Sequence, residues 1–301
     1  MDHPIEVVFC CDQNMIPGLH VTVHSMLSAY NSKRELNITW LHQGVADKDI
    51  ASLQSTIDQH SHNVNLSCIN HNTSRFENSA ALHGSRFPYA RLDIPNLITA
   101  DRVLYLDSDL IINVDVSQLY DVDLEDHILG IPYDGGKVAL SLERSFFEDE
   151  LGISADSPYF NSGVLVIDLA SWRQQSIDIK VDDFLEKHGS RCLTCDQTVL
   201  NALFTNNFKA LPQFYNHELA AVGSHYLPVE KAILHFVGRP KPWDIGGRRT
   251  NPHSDLWYKV LLETAIGDWK SSFDHSAWAS VKASWRSSLR AMLSTSKPKQ
   301  R

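Results

Sequence analysis

RVLYLDSDLII, residues 102–112, begins as a hydrophobic strand and then places two carboxylates in its own path. Asp107 and Asp109 flank Ser108 between Leu106 and Leu110. Aspartate is a poor strand residue and is almost never fully buried without a partner. Two carboxylates this close repel each other unless a cation joins them. Hard divalent ions such as Mg²⁺ and Mn²⁺ take oxygen ligands, often one or two carboxylates together with substrate phosphates. In open α/β sheets, ligands collect beyond the carboxyl ends of the strands. The stretch therefore predicts a strand over 103–106 that ends at a metal-assisted phosphate site. Asp-x-Asp alone is a weak motif, because solvated pairs are common.

The flanking pattern predicts the sheet. Apolar runs at 5–11, 36–42, 64–69, 127–131, 163–168 and 232–236 read as strands. Helical spacing recurs over 20–29, 47–59 and 195–204, and 87–97 opens a helical or turn segment. Strands alternating with helices predict an α/β fold, a single Rossmann-like domain over residues 1–265 with a mostly parallel central sheet flanked by helices. Residues 135–157 are a polar insertion with Glu143, Glu148, Asp149 and Glu150, a length often functional or mobile.

Composition narrows the class. The chain has 301 residues, 43% apolar and 21% charged, which suits a soluble protein with a large core. No apolar run reaches the roughly 18–20 residues of a membrane span. The start, MDHPIEVVFCCDQN, lacks the basic region and cleavage site of a signal peptide, which predicts a cytoplasmic protein. Cys10, Cys11, Cys68, Cys192 and Cys195 are too few and odd in number for a disulfide framework. Cys192 and Cys195 form a CxxC with no second pair to complete a zinc site, so they read as core thiols. Sequons at Asn37, Asn65 and Asn72 read as chance matches.

Charge is unevenly spread. The net value is −9, yet residues after 274 carry six bases and no acid, leaving −15 on the body. An acidic body argues against nucleic acid as a partner. In the tail, residues 266–301, Trp278, Val281, Trp285, Leu289 and Met292 recur at spacings of 3, 4, 4 and 3. Lys282, Arg286 and Arg290 run beside them. That is the pattern of a helix lying on an anionic membrane surface through residues 278–301, peripheral on the inner face of the cytoplasmic membrane. Docking on the acidic body or on a protein partner is the other reading.

A third metal ligand is offered by His235, which follows Ala232-Ile233-Leu234 and opens HFVGRPKPW, residues 235–243. Alone, such a histidine is more often a core residue. Gly238 permits close backbone approach to a ligand, and Lys241 places a cation where a diphosphate would need one. Pro240 and Pro242 stiffen the loop.

Five blocks in order resemble glycosyltransferase family 8, retaining enzymes that include lipopolysaccharide galactosyl- and glucosyltransferases and glycogenin. They are FCCDQN (9–14), YARL (89–92) leading to YLDSDL (105–110), FNSGV (160–164), CDQTVLNALF (195–204) and HFVGRPKPW (235–243). Each is loose alone; the ordered set is specific, and the bacterial galactosyltransferase branch is most similar. The resemblance implies a GT-A fold, a UDP-hexose donor, and a glycan or lipid-linked saccharide acceptor in surface-glycan synthesis. It implies that Asp107, Asp109 and His235 hold Mn²⁺ or Mg²⁺ against the donor diphosphate, with Ser108 a small residue between the two acids. Asp12 and Asn14 would bind the uracil, and Gly238 and Lys241 the diphosphate. Arg91, Asn161, Asp196 and Gln197 would line the donor sugar, and Asp134 would face the sugar or the acceptor. Met15 departs from the aromatic residue that bacterial relatives often carry there.

Plainer roles also fit these residues. Arg91 could pair with Asp93 or Glu6, Asn161 could bridge a turn before Gly163, and Asp196 could be a helix N-cap, a position that favours aspartate. A non-catalytic UDP-sugar-binding or scaffold protein is one rival function. A haloacid-dehalogenase-like phosphatase, which also uses Asp-x-Asp, is the other; its motif normally follows the first strand, whereas this one arrives after residue 100.

Overall fold

The computed structural model describes residues 3–219 and 231–270. The tail helix expected at 278–301 lies outside them. The main sheet contains β1 (Ile5–Cys10), β2 (Leu36–His42), β3 (Val64–Asn70), β4 (Arg102–Leu106), β6 (Leu129–Pro132), β7 (Val164–Asp168) and β8 (Lys209–Leu211), in the order β3-β2-β1-β4-β7-β6-β8. Only β7 runs against the rest. A small second sheet has the order β5-β10-β9, from β5 (Leu110–Ile112), β9 (His217–Glu218) and β10 (Ile233–His235). The mostly parallel α/β architecture is the one expected.

Strand periodicity divides the core. Val7, Phe9, Leu104 and Leu106 point to one face of the main sheet, and Val8, Val103 and Tyr105 to the other. β1 and β2 are buried along nearly their whole length, as inner strands of a parallel sheet must be. β3 is half-buried or exposed along its whole length, which suits its edge position. The chain passes from β1 to β2 on one side while β4 pairs with β1 on the other, so their carboxyl ends open a crevice at the switch point.

The 102–112 stretch is divided between the two sheets. β4 ends at Leu106, Asp107-Ser108-Asp109 crosses over, and Leu110 begins β5. β5 pairs antiparallel with β10, with Leu110 opposite His235. This register brings a histidine from far along the chain beside the two aspartates. The strand β5 was not anticipated; three residues give too short a run for period-2 reading.

The other edge of β5 is closed by helix α1 (Ile16–Ala29) rather than by a strand. Thr22 Oγ1 accepts from Leu110 N and donates to Leu110 O, both at 2.9 Å, and Ser25 Oγ accepts from Ile112 N at 3.0 Å. Two hydroxyls thus satisfy backbone groups that burial would otherwise orphan. α1 is buried from Pro17 to Leu27, because both this sheet and α2 (Asp47–Ile57) pack on it. The insertion at 135–157 folds against the body through Val138, Phe146 and Phe147 rather than standing free.

At the α1–α2 contact, His20 is fully buried, with Nδ1 2.7 Å from Thr56 Oγ1 and Nε2 without a partner. Burial lowers its pKa from 6.5 to about 4. Between these values the unfolded chain takes up a proton that the folded chain does not. Stability should therefore fall as pH drops from 6.5 towards 4, by about 3 kcal/mol from this group. Urea denaturation at several pH values checks it: His20→Asn should flatten the slope in that window, and parallel profiles would refute the assignment.

Candidate active site

The sheet junction sits in a cleft of about 800 Å³ lined by the ends of β1, β4 and β10. Asp107 is fixed from three directions. Its N–H donates to Gly163 O at 2.8 Å, and its Oδ1 accepts from Arg91 Nη2 at 2.7 Å and from the Tyr105 hydroxyl at 2.6 Å. Its Oδ2 is left facing His235 Nε2 at 3.6 Å. Asp109 Oδ2 accepts from Lys241 Nζ at 2.5 Å, and its Oδ1 lies 3.2 Å from His235 Nε2. Burial would push Asp109 up, but Lys241 and His235 outweigh it and hold the acid well below the usual carboxylate range.

The orientation of His235 follows from a backbone donor. Gly163 N–H donates to Asn161 Oδ1 at 2.8 Å, so that oxygen is assigned. Asn216 Nδ2 donates to the same oxygen at 3.0 Å, which turns Asn216 Oδ1 towards His235 Nδ1 at 2.9 Å. Nδ1 then carries the proton, and the Nε2 lone pair faces two carboxylates. Lys241 and Arg91 offset Asp109 Oδ2 and Asp107 Oδ1, but the oxygens that face Nε2 repel its lone pair unless a proton on Nε2 or a metal ion lies between them. The three ligating atoms lie within 4.8 Å of one another, and Asp109 Oδ1 is buried without a hydrogen bond. Two carboxylates and one imidazole make a donor set that fits a divalent metal ion.

Gly163 keeps this space open: a Cβ there would lie 2.3 Å from His235 Cε1 and 2.9 Å from Asp107 Oδ2. Sequence reading missed Gly163 and Asn216 as site residues. Gly163 was visible within FNSGV; nothing local marks Asn216.

Arg91 is buried and bridges the acids. Besides Asp107 it donates to Ser162 Oγ at 2.7 Å, and its Nε lies 2.9 Å from Asp196 Oδ2. The plainer pairings do not occur. Asp93 is held by His71 and Arg75, and Glu6 accepts from Asn37. Nor does Asp196 cap its helix. The N-cap of helix Asp196–Phe204 is Cys195, at φ 55°, and the Asp196 carboxylate turns inward to Arg91. Burial outweighs the opposing pull of Arg91 and, with Asp107 adding to the rise, leaves the Asp196 carboxyl raised to about 6. Asn161 does bridge the turn before Gly163, as expected.

The remaining candidates spread along the cleft. Asp12 and Asn14 follow β1, with Asp12 Oδ1 accepting from Asn14 N at 2.9 Å. Met15 lines the same end. Ser108 is buried at the crossover, and Gly238, at φ +76°, forms the rim beside Lys241. Lys241 Nζ also donates to Phe236 O, which holds it inside the cleft. Gln197 lines the far end with Thr194. Asp134 is not among the lining residues; it is exposed and accepts from Gly136 N at 2.9 Å. Ile266 and Trp269, the first apolar residues of the tail region, do line the cleft. Cys192 and Cys195 are buried free thiols, pushed by burial up to about 12.

Asn216 should matter through His235. Asn216→Leu removes the acceptor that fixes the imidazole tautomer and should weaken Mn²⁺ binding by roughly 10–100-fold in a calorimetric titration. Unchanged affinity would mean that packing alone orients the ring.

Residues 6–245 match the family described as Glycosyl transferase family 8. The chain is 26% identical over 282 residues to General stress protein A of Bacillus subtilis (strain 168), spanning 87% of this chain and 95% of that one. It is 31% identical over 206 residues to Glycosyltransferase GlyE of Streptococcus pneumoniae serotype 4 (strain ATCC BAA-334 / TIGR4), spanning 63% of this chain and only 45% of GlyE. Among solved structures, galactosyltransferase LgtC in complex with donor and acceptor sugar analogs aligns with a TM-score of 0.70 at 23% identity, over 92% of this chain and 100% of that one. The apo WbbM bifunctional glycosyltransferase aligns at 0.75 and 20% identity, over 89% of this chain and 51% of that one. At these identities the structural likeness carries the fold alone, which is GT-A. With the family match covering most of the chain, the protein belongs to glycosyl transferase family 8.

Proposed function

We propose that the protein is a metal-dependent retaining hexosyltransferase that moves galactose or glucose from a UDP-sugar to a glycan or lipid-linked saccharide, in lipopolysaccharide or other surface-glycan synthesis. One observation carries the reading: the ligating atoms of Asp107, Asp109 and His235 lie within 4.8 Å of one another, in the cleft that also holds Lys241, Arg91, Asp12 and Asn14. Membership of glycosyl transferase family 8 supports a sugar donor and an acceptor.

In this reading Asp107, Asp109 and His235 hold Mn²⁺ or Mg²⁺, which supplies a Lewis acid and charge neutralisation for a diphosphate leaving group. Asp12 and Asn14 bind the uracil. Gly238 lets backbone approach the diphosphate, and Lys241 offsets negative charge on the departing UDP. Arg91, Asn161, Asp196 and Gln197 surround the donor sugar. Asp134, outside the cleft lining, is left for a bound acceptor.

Retention through a covalent intermediate needs a carboxylate behind the anomeric carbon. Gln197 is an amide, and the Asp196 carboxylate is committed to Arg91. We therefore favour a front-face transfer. The incoming hydroxyl adds on the side from which UDP leaves, and its proton passes to a phosphate oxygen of that UDP.

A panel of UDP-sugars with Mn²⁺, read by UDP release, should show turnover with one UDP-hexose. Asp109→Ala should abolish it, while Gln197→Ala should keep measurable activity. Equal inactivity of the two variants would overturn the front-face route. A UDP-sugar bound but never turned over, with any acceptor, would overturn the enzyme reading.

The catalytic body is taken as residues 1–265 and the basic tail as 266–301, docking on an anionic membrane. No described helix is long and apolar enough to cross a membrane. Removing residues 270–301 should release the protein from anionic vesicles in a flotation assay while sparing UDP-sugar hydrolysis. A truncated protein that still floats would sink the membrane role of the tail.

A further inference from the structure

Glu143, in the polar insertion, is buried to 1% exposure and makes no ion pair among the described residues. Four neutral donors hold it instead. Oε1 accepts from Leu193 N at 2.8 Å and Thr198 Oγ1 at 2.7 Å; Oε2 accepts from the Tyr159 hydroxyl at 2.8 Å and Thr194 Oγ1 at 2.9 Å. A buried charge is kept at this cost only where every lone pair has a donor. The nearby N-terminus of helix Asp196–Phe204 adds its positive end.

The hydrogen bonds have a direction. A carboxylate only accepts, so the Tyr159 proton points at Glu143. Tyr159 then offers lone pairs to its other neighbours, Gln197 Nε2 at 3.4 Å and Thr194 Oγ1 at 3.2 Å. At the far side of the same amide, Gln197 Oε1 accepts from Ser162 N at 3.2 Å. One acceptor and one backbone donor therefore fix which end of the amide is which.

We propose that Glu143 and Tyr159 are positioning residues that set the orientation of the Gln197 amide towards the donor sugar. The proposal rests on the sugar-facing role of Gln197 given above. Its consequence for Glu143→Gln is specific. Leu193 N–H is a fixed donor, so the new amide must keep its oxygen there. Its NH₂ then faces Tyr159 and Thr194. The Tyr159 hydroxyl must accept from that NH₂, so its proton leaves residue 143 either for Gln197 Nε2, donor against donor, or for Thr194 Oγ1 at 3.2 Å. Flipping Gln197 moves the same conflict to Ser162 N–H. An isosteric change that preserves packing thus redirects the Tyr159 proton beside the amide from a distance.

The experiment measures kcat and donor KM for Glu143→Gln, Tyr159→Phe, Gln197→Ala and the double variant Glu143→Gln/Gln197→Ala, with thermal unfolding as a fold check. Glu143→Gln and Tyr159→Phe should each lower kcat about tenfold with donor KM within about twofold. The double variant should be no slower than Gln197→Ala alone, because the amide through which Glu143 acts is already gone. Additive losses, or equal changes in KM, would overturn the proposal. Tyr159→Phe keeps the ring and its edge contact with Phe147 at 5.5 Å, so it remains informative if Glu143→Gln folds poorly. A slow Gln197→Ala beside a fast Glu143→Gln overturns the positioning role alone. A Gln197→Ala with normal kcat overturns the role of Gln197 and this inference with it.

Discussion

Arg91 is a cation held out of water between two carboxylates from different parts of the chain. Asp107 closes β4, Asp196 opens a helix, and Ser162 precedes β7; the guanidinium ties all three together. It also lies over the Tyr105 ring at 4.2 Å. Removing one partner from such a group leaves a buried charge uncompensated, a loss of about 3–5 kcal/mol. The floor of the cleft is therefore rigid before any ligand arrives, which is what stabilising a developing charge requires.

The two ends of the cleft use the same device. At the metal-ligand end, Gly163 N–H sets Asn161, Asn161 sets Asn216, and Asn216 sets the tautomer of His235. At the other end, Leu193 N–H and Ser162 N–H bracket Glu143, Tyr159 and Gln197. Side-chain amides and hydroxyls can each point either way. A backbone N–H cannot, so a chain of bonds anchored on one has a single polarity. Both chains end on a group that faces the cleft.

Much of this was legible in the sequence because it is local. Strand and helix positions followed from apolar periodicity, and Leu36–His42 was read with its observed bounds. Asp107, Asp109 and His235 were named together from residue chemistry and block order, and the fold brings their ligating atoms together. Where expectation failed, a longer-range force had won. Asp196 looked like an N-cap because aspartate suits that position, but a buried guanidinium is a stronger partner than a free N–H. Arg91 did not choose its sequence neighbour Asp93, because Arg75 and His71 had already paired with it. Glu143 was one acid among several in a polar insertion; donors from Tyr159 and residues 193–198, distant in sequence, separate it from its exposed neighbours. Asn216 carries no local signal, since its role depends on register between strands distant in sequence.

The crossover at Ser108 puts Asp107 at the end of one sheet and Asp109 at the start of another. Their spacing is thus not a property of either sheet but of how the two are seated. A ligand that touches both carboxylates is sensed by both sheets at once. Its binding free energy is also free energy against their separation. Affinity at this site and cohesion between the sheets are then a single quantity, seen once as occupancy and once as resistance to unfolding.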